Sequence, residues 1–120
     1  IKNMVPNIAN AYRASASVEI VDGADITYND PMLTKKMIPS LEKVIGEENV
    51  IEISAVTGAE DFSYFQSKIP GFYFFLGGTP LNINENMAPS HHTPDFFVDD
   101  KSLIIGVKAL TQLSIDYLSN

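Results

Sequence analysis

The spacing of hydrophobic and polar positions changes twice along the first 30 residues. One set of apolar residues recurs at helical spacing and predicts a helix with one apolar face: Ile1, Met4, Val5, Ile8 and Tyr12. Residues 16–20 alternate between apolar and polar side chains, which predicts a strand with one solvated face. Asp22-Gly23 ends this strand, and residues 24–29 are predicted to be an extended connection.

Asp30-Pro31 predicts the start of a second helix, because aspartate caps free backbone amides and proline is favoured at the first helical position. The apolar residues of this helix should share one side: Leu33, Met37, Leu41 and Val44. We expect Pro39 to kink or divide the helix and Gly46 to end it. Residues 50–56 are rich in β-branched side chains and predict another strand.

The second half of the chain continues the alternation of helices and strands. Residues 62–67 predict a short helix, and residues 72–76 predict a strand without polar alternation, which is typical of a sheet covered on both faces. Asp99 or Asp100 can cap a last helix. That helix has an apolar stripe: Leu103, Val107, Leu110 and Tyr117, with Ile104 and Leu118 beside it. The order of the elements predicts the α/β class.

The domain organisation has two interpretations at this stage. Either a domain boundary lies in the connection at residues 24–29, or that connection is an ordinary loop within one domain. The chain starts with Ile1 and shows no charged region followed by an apolar one at its start, so we see no signal peptide. The absence of an initiator methionine leads us to expect a piece of a longer protein.

Composition and charge exclude several kinds of partner and site. The formal net charge is −7, and a nucleic-acid partner is not expected because such proteins need a basic patch. A membrane partner is not expected either, because the longest apolar run, residues 72–76, is far too short to cross a bilayer. The chain has no cysteine, which rules out disulfides and thiolate zinc sites.

Both histidines of the chain lie together, at His91 and His92, between Pro89 and Pro94. The prolines stiffen the backbone, and histidine is the commonest metal ligand as well as a common polar residue of loops. Adjacent side chains of an extended backbone point to opposite sides, so one imidazole is the candidate ligand and the other is a neighbour. The alternative is a pair of surface or hydrogen-bonded histidines without a metal.

A second candidate region is the sequence Gly58-Ala59-Glu60-Asp61-Phe62, which lies between a predicted strand and a predicted helix. Loops in this position contact ligands in open-sheet proteins. Glu60 and Asp61 also have a structural interpretation, since carboxylates at a helix N-terminus satisfy free amides. The aromatic residues that follow are predicted to be core: Phe62, Tyr64, Phe65, Phe72, Tyr73, Phe74 and Phe75.

Several sequence blocks occur together in a recognisable order. They are Gly58-Ala59-Glu60-Asp61-Phe62-Ser63-Tyr64-Phe65, Ile69-Pro70-Gly71-Phe72 with Phe75-Leu76-Gly77, His92-Thr93-Pro94-Asp95-Phe96, and Asp99-Asp100 with Leu103. This set closely resembles the C-terminal part of the aminoacylase/carboxypeptidase family of dinuclear metal amidohydrolases. The nearest branch resembles hippurate hydrolases, N-acyl-amino-acid amidohydrolases and auxin-conjugate hydrolases. Residues 1–30, including Tyr28-Asn29-Asp30, are more loosely similar to the end of the family's inserted lid domain.

The resemblance implies a fold and a domain division. The fold is the C-terminal part of a zinc-exopeptidase-like α/β sheet covered by helices and preceded by the end of an α+β lid domain. Residues 1–24 then correspond to the end of the lid, which mediates dimers in the family, and residues 25–120 correspond to the C-terminal part of the catalytic domain. A homodimer through the lid is therefore an expected assembly of the full-length protein.

The resemblance also implies roles for individual residues. It makes His92 a metal ligand, and it places Gly58, Glu60, Asp61 and His91 in the substrate pocket or beside the ligands. No catalytic residue is expected here, because the family's general base and its other ligands lie upstream. The implied cofactors are two divalent ions, zinc or else manganese, cobalt or nickel.

The resemblance implies hydrolysis of N-acyl amino acids or small peptides, with this chain inactive alone. The alternative is a stand-alone, non-catalytic acidic α/β association module.

Overall fold

The computed structural model describes residues 1–119, apart from the side chain of Glu85. Within that range the regular elements are helical: α1, Met4–Ala11; α2, Pro31–Ile45; α3, Phe62–Gln66; and α4, Asp100–Ser119. One short 3₁₀ turn follows α2 at Glu47–Asn49, and a second lies between α3 and α4 at Glu85–Met87. In the part of the chain described, no helix has both the length and the apolar character needed to cross a bilayer.

Helix α2 begins and ends where its local sequence signals predict. The Leu33 N–H donates to Asp30 Oδ1 at 2.8 Å, and Pro31 occupies the first helical position. Gly46 ends the helix with a φ of 86°, a conformation that favours glycine. The helix continues through Pro39, so the expectation that this proline divides it is wrong.

The core lies where α2 packs against α4. Met37 and Leu41 of α2 and Ala109 of α4 are the buried hydrophobic residues of the described chain. At the edge of this contact the Ser40 hydroxyl donates to Asp116 Oδ2 at 2.7 Å, and Lys43 Nζ lies 2.9 Å from the same oxygen. Hydrogen bonds from Lys43, Ser40 and Gln112 lower the pKa of Asp116 to about 2. The two helices are therefore joined by apolar packing and by an ionised carboxylate.

The three predicted strands are not formed in residues 1–119. Residues 16–20, 50–56 and 72–76 contain no strand, so the described chain has the helices of the predicted α/β class but no sheet. A strand is stable only beside another backbone, and isolated segments do not supply one. At Tyr73 the backbone N–H and C=O are instead paired with the side chain of Asn29.

Much of the predicted apolar surface is exposed. The stripe residues Leu103, Val107, Leu110 and Tyr117 of α4 are 54–66% exposed, because α4 turns a different face, with Ser102 and Ala109, toward the interior. The radius of gyration is 20.3 Å. A compact domain of this length would have about 14 Å. The chain is therefore extended, and its helices leave apolar faces open.

Candidate functional site

The loop at residues 57–61 leads into α3, as the sequence predicts. The first helical amides are satisfied by backbone oxygens: the Ser63 N–H donates to Glu60 O, and the Tyr64 N–H donates to Asp61 O, both at 3.1 Å. The Asp61 side chain is exposed and makes no capping hydrogen bond, so the capping interpretation is wrong for Asp61. Gly58 is surrounded by open space. This loop therefore presents an exposed carboxylate without a structural partner in the helix.

Glu60 interacts with Tyr73, an aromatic residue that was predicted from the sequence to be part of the core. Burial raises the pKa of the Tyr73 phenol above its usual 10.0, and the charge of the neighbouring Glu60 carboxylate and a hydrogen bond to it raise this pKa further. Tyr73 is the one hydroxyl-bearing residue in the aromatic run at 72–76. A hydroxyl in an otherwise apolar run needs a polar partner, so its presence in the sequence could have identified Tyr73 as more than a core residue.

The aromatic residues border a cavity rather than a filled core. A cavity of about 300 Å³ lies between α3, residues 72–76 and α4. Its lining is largely apolar: Phe62, Phe72, Tyr73, Phe74, Leu76, Gly106 and Leu110. Tyr64, Phe65 and Phe75 are exposed instead, so the prediction that the whole aromatic cluster is core is wrong for these three.

Ser63, at the start of α3, is a further residue that sequence reasoning did not single out. It is 1% exposed, and its Oγ has no hydrogen-bond partner within the described chain. Buried hydroxyls are normally paired. The signal in the sequence is a small polar residue between two aromatic ones, Phe62 and Tyr64.

The histidine block forms a local turn. Thr93 Oγ1 donates to Ser90 O at 2.7 Å, and the Phe96 N–H donates to Thr93 O at 3.2 Å. The His91 ring packs edge-on against Phe96, with 4.6 Å between ring centroids. The rings of His91 and His92 are 6.5 Å apart and nearly perpendicular. His91 therefore contacts an aromatic neighbour on one side and the His92 ring on the other.

The His92 backbone is in the left-handed region, with a φ of 62°. The premise of an extended backbone at the histidine pair is therefore wrong at His92. Non-glycine residues in this region carry a conformational cost of about 1–2 kcal/mol. Histidine is one of the residue types enriched there. Arg13, with a φ of 58°, shares this conformation, so the backbone at His92 does not by itself mark a functional position. Both imidazoles are exposed.

The structure does not assemble a metal site from the predicted residues. Among the residues it describes, no three His, Asp or Glu side chains lie together as a possible ligand set. His92 and the carboxylates of Glu60 and Asp61 therefore do not form one site here. The donors of the described chain do not fit a metal ion by themselves, because a stable site needs three or four ligands.

Comparisons with known proteins extend over almost the whole chain. The sequence model of Peptidase family M20/M25/M40 matches residues 3–116. Thermostable carboxypeptidase 2 of Saccharolobus solfataricus is 33% identical over 118 residues, which are 98% of this chain and 29% of the relative. IAA-amino acid hydrolase ILR1-like 2 of Arabidopsis thaliana is 28% identical over 122 residues, covering 98% of this chain and 27% of the relative.

A shorter match reaches higher identity. N-acetyldiaminopimelate deacetylase of a Geobacillus species is 39% identical over 77 residues, which are 64% of this chain and 20% of the relative. The chain thus spans less than a third of the length of these relatives. No solved structure is significantly similar to it.

Proposed function

This chain belongs to Peptidase family M20/M25/M40, and from that membership we propose that it is the C-terminal portion of a longer metal-dependent amidohydrolase. The proposed reaction is hydrolysis of the amide bond of N-acyl amino acids or small peptides. The observation that carries the proposal is the family match over residues 3–116, together with relatives named as a carboxypeptidase and an amino acid hydrolase. The match confirms the family resemblance seen in the sequence blocks.

His92 is the proposed metal ligand of this portion. The family match, which includes His92, and the exposure of this residue to partners outside the described chain support this role. The remaining ligands and the general base are proposed to come from polypeptide outside this chain, because the described residues supply no ligand set. Divalent ions, zinc or else manganese, cobalt or nickel, would lower the pKa of a bound water there.

The loop at residues 57–61 is proposed to line the substrate pocket of the longer protein. Gly58 leaves open space in which a substrate backbone could approach closely. Asp61 is exposed, so its carboxylate is available to polar groups of a substrate or to the partners of metal ligands, whereas the Glu60 carboxylate would border the pocket while interacting with Tyr73. His91 is proposed to border the same pocket.

The proposed domain division places the end of a lid at residues 1–24 and the catalytic portion at residues 25–120, of which Asn120 lies outside the described residues. The family suggests an α/β fold, and we propose that residues 16–20, 50–56 and 72–76 pair with strands of the longer protein. The exposed apolar stripe of α4 supports this, since a helix that covers a sheet buries such a stripe.

An association module without catalytic activity is the second candidate. The exposed apolar face of α1, with Ile1, Met4, Ile8 and Tyr12, favours contacts with another protein surface. The same face supports a homodimer through the lid in the longer amidohydrolase. Association alone therefore does not separate the two candidates, whereas hydrolysis does.

The experiment compares the gene's full translation product with the 120-residue chain. Both are purified, treated with a chelator, and then given Zn²⁺, Mn²⁺, Co²⁺ or Ni²⁺ before incubation with a panel of N-acyl amino acids and dipeptides. We expect metal-dependent hydrolysis by the longer product and none by the chain alone. Turnover by the chain alone would overturn its assignment as an incomplete site. Metal-independent turnover, or no turnover by the longer product, would overturn the proposal that the longer protein is a metal-dependent amidohydrolase.

A further inference from the structure

Two side-chain carboxamides each pair with both backbone polar groups of one distant residue. The Tyr28 N–H donates to Gln66 Oε1 at 3.0 Å, and Gln66 Nε2 donates to Tyr28 O at 2.9 Å. In the same way the Tyr73 N–H donates to Asn29 Oδ1 at 2.6 Å, and Asn29 Nδ2 donates to Tyr73 O at 2.7 Å. A carboxamide offers an acceptor and a donor side by side, as a peptide group does. Each carboxamide therefore takes the place that a neighbouring backbone peptide group would have beside Tyr28 or Tyr73.

A fifth hydrogen bond completes this set, which we name the carboxamide clasp. The Asp30 N–H donates to Gly71 O at 3.0 Å. Three consecutive residues, 28–30, are thus attached to α3 and to the segment that follows it. Asp30 also caps α2, so the clasp connects that helix to α3. Gly71 is buried against Gln66: a Cβ at this position would lie 2.5 Å from Gln66 Cγ, so a larger residue there would displace the Gln66 side chain.

The clasp is connected to the loop at residues 57–61 indirectly, through α3 and through Tyr73. Gln66 is the last residue of α3, whose first turn follows Glu60 and Asp61. Asn29 holds the backbone of Tyr73, whose phenol lies beside the Glu60 carboxylate. Residues just before the clasp differ in their hydrogen bonds and not in their exposure, since Tyr28 is itself 64% exposed. Within the described chain, residues 21–26 make no hydrogen bond to α3 or to residues 71–73, and open space surrounds Gly23. The attachment therefore begins sharply at Tyr28.

We propose that Asn29 and Gln66 are positioning residues that fix the loop at 57–61 against the connection between the two proposed domains. Gln66 acts through α3, and Asn29 acts through Tyr73. This inference rests on the proposed function, because that function assigns the loop to the substrate pocket. It follows that bending between the proposed domains takes place before Tyr28, while residues 28–30 move together with the loop.

The test uses hydrogen exchange of backbone amides and steady-state kinetics on the full translation product. The variants are Asn29→Ala and Gln66→Ala, and the matched control is Asn49→Ala. Asn49 Nδ2 also donates to a backbone carbonyl, Ile45 O, at 2.7 Å, but within one helix end and away from the clasp. Gly71→Ala is a further variant, which displaces Gln66 and keeps both carboxamides.

In the wild type we expect the Tyr28 and Tyr73 amides to exchange more slowly than the amide of Gly23. Asn29→Ala and Gln66→Ala should speed exchange at the affected amide and at the Ser63 and Tyr64 amides, which donate to Glu60 O and Asp61 O of the loop, by about tenfold, the factor that corresponds to the net contribution of one hydrogen bond. Amides of α2 and α4 should keep their rates. KM should rise several-fold while kcat and metal content stay near the wild-type values. Asn49→Ala should change none of these.

Several outcomes would overturn the inference. One is wild-type exchange at Tyr28 and Tyr73 as fast as at Gly23; another is unchanged exchange at the Ser63 and Tyr64 amides after either substitution. Uniformly faster exchange in all helices would assign the clasp to global stability only. If the wild-type product hydrolyses no N-acyl substrate, the proposed function fails, yet exchange at the Ser63 and Tyr64 amides still decides whether the clasp holds the loop. If an alanine variant does not fold, Gly71→Ala takes its place, with the same expected change in exchange at the Ser63 and Tyr64 amides.

Discussion

Replacing Leu41 by alanine tests the helix pair that organises this chain. Leu41 is 6% exposed and lies one turn after Met37, which is 4% exposed, in the contact of α2 with α4. Buried Leu→Ala changes cost about 2–5 kcal/mol, and the cost is lowest where the surroundings can collapse into the space. Two helices in contact can adjust more easily than a closed core. We therefore expect Leu41→Ala to lower the free energy of unfolding by about 2–3 kcal/mol.

The assay is urea unfolding of the 120-residue chain, followed by the helical circular dichroism signal. The matched control is Leu118→Ala on α4, where the side chain is 83% exposed. An exposed substitution of this kind should change the free energy of unfolding by less than about 0.5 kcal/mol. Equal effects of the two substitutions, or an unfolded wild-type chain, would refute the reasoning that the contact of α2 with α4 is the stabilising core.

Two further predictions concern charged groups. The pKa of Asp116 falls from 3.8 to about 2 on folding, so its contribution to stability is fully present above pH 3.8 and is lost as the pH falls toward 2. Asp116→Asn should therefore lower the melting temperature at neutral pH and remove this part of the acid dependence; unchanged acid unfolding would contradict it. Glu60→Gln should lower the pKa of the Tyr73 phenol toward 10.0, and Asp61→Asn should leave it in place, as measured by NMR titration of ring-labelled tyrosines. An equal shift in both variants would contradict the pairing of Glu60 with Tyr73.

The features that the sequence predicts correctly depend on nearby residues. Asp30 caps α2 and Gly46 ends it because both act on backbone groups within one turn. The start of α4 follows the same rule, since Asp99 Oδ1 accepts from the Lys101 N–H at 3.0 Å. Pro39 departs from this pattern, because α2 continues past a proline.

The features that the sequence predicts incorrectly depend on distant partners. The strands at 16–20, 50–56 and 72–76 need neighbouring backbone that the described residues do not provide. The apolar stripe of α4 is visible in the sequence, but nothing in its pattern shows what covers it. The carboxamide clasp joins residues 38 and 44 positions apart, and single polar residues such as Asn29 carry no periodic signal. The roles of Gly58, Glu60, Asp61, His91 and His92 stay predictions.

The measurement that tests the central claim most directly is the metal content of two variants of the full translation product, His92→Ala and His91→Ala. Each is purified, reconstituted with Zn²⁺ and analysed for metal per polypeptide and for hydrolysis of an N-acyl amino acid. If His92 is a ligand, its removal takes away most of the bound metal and of the activity, whereas the His91 variant keeps a substantial part of both. Equal loss in both variants, or loss in neither, would contradict the assignment of His92.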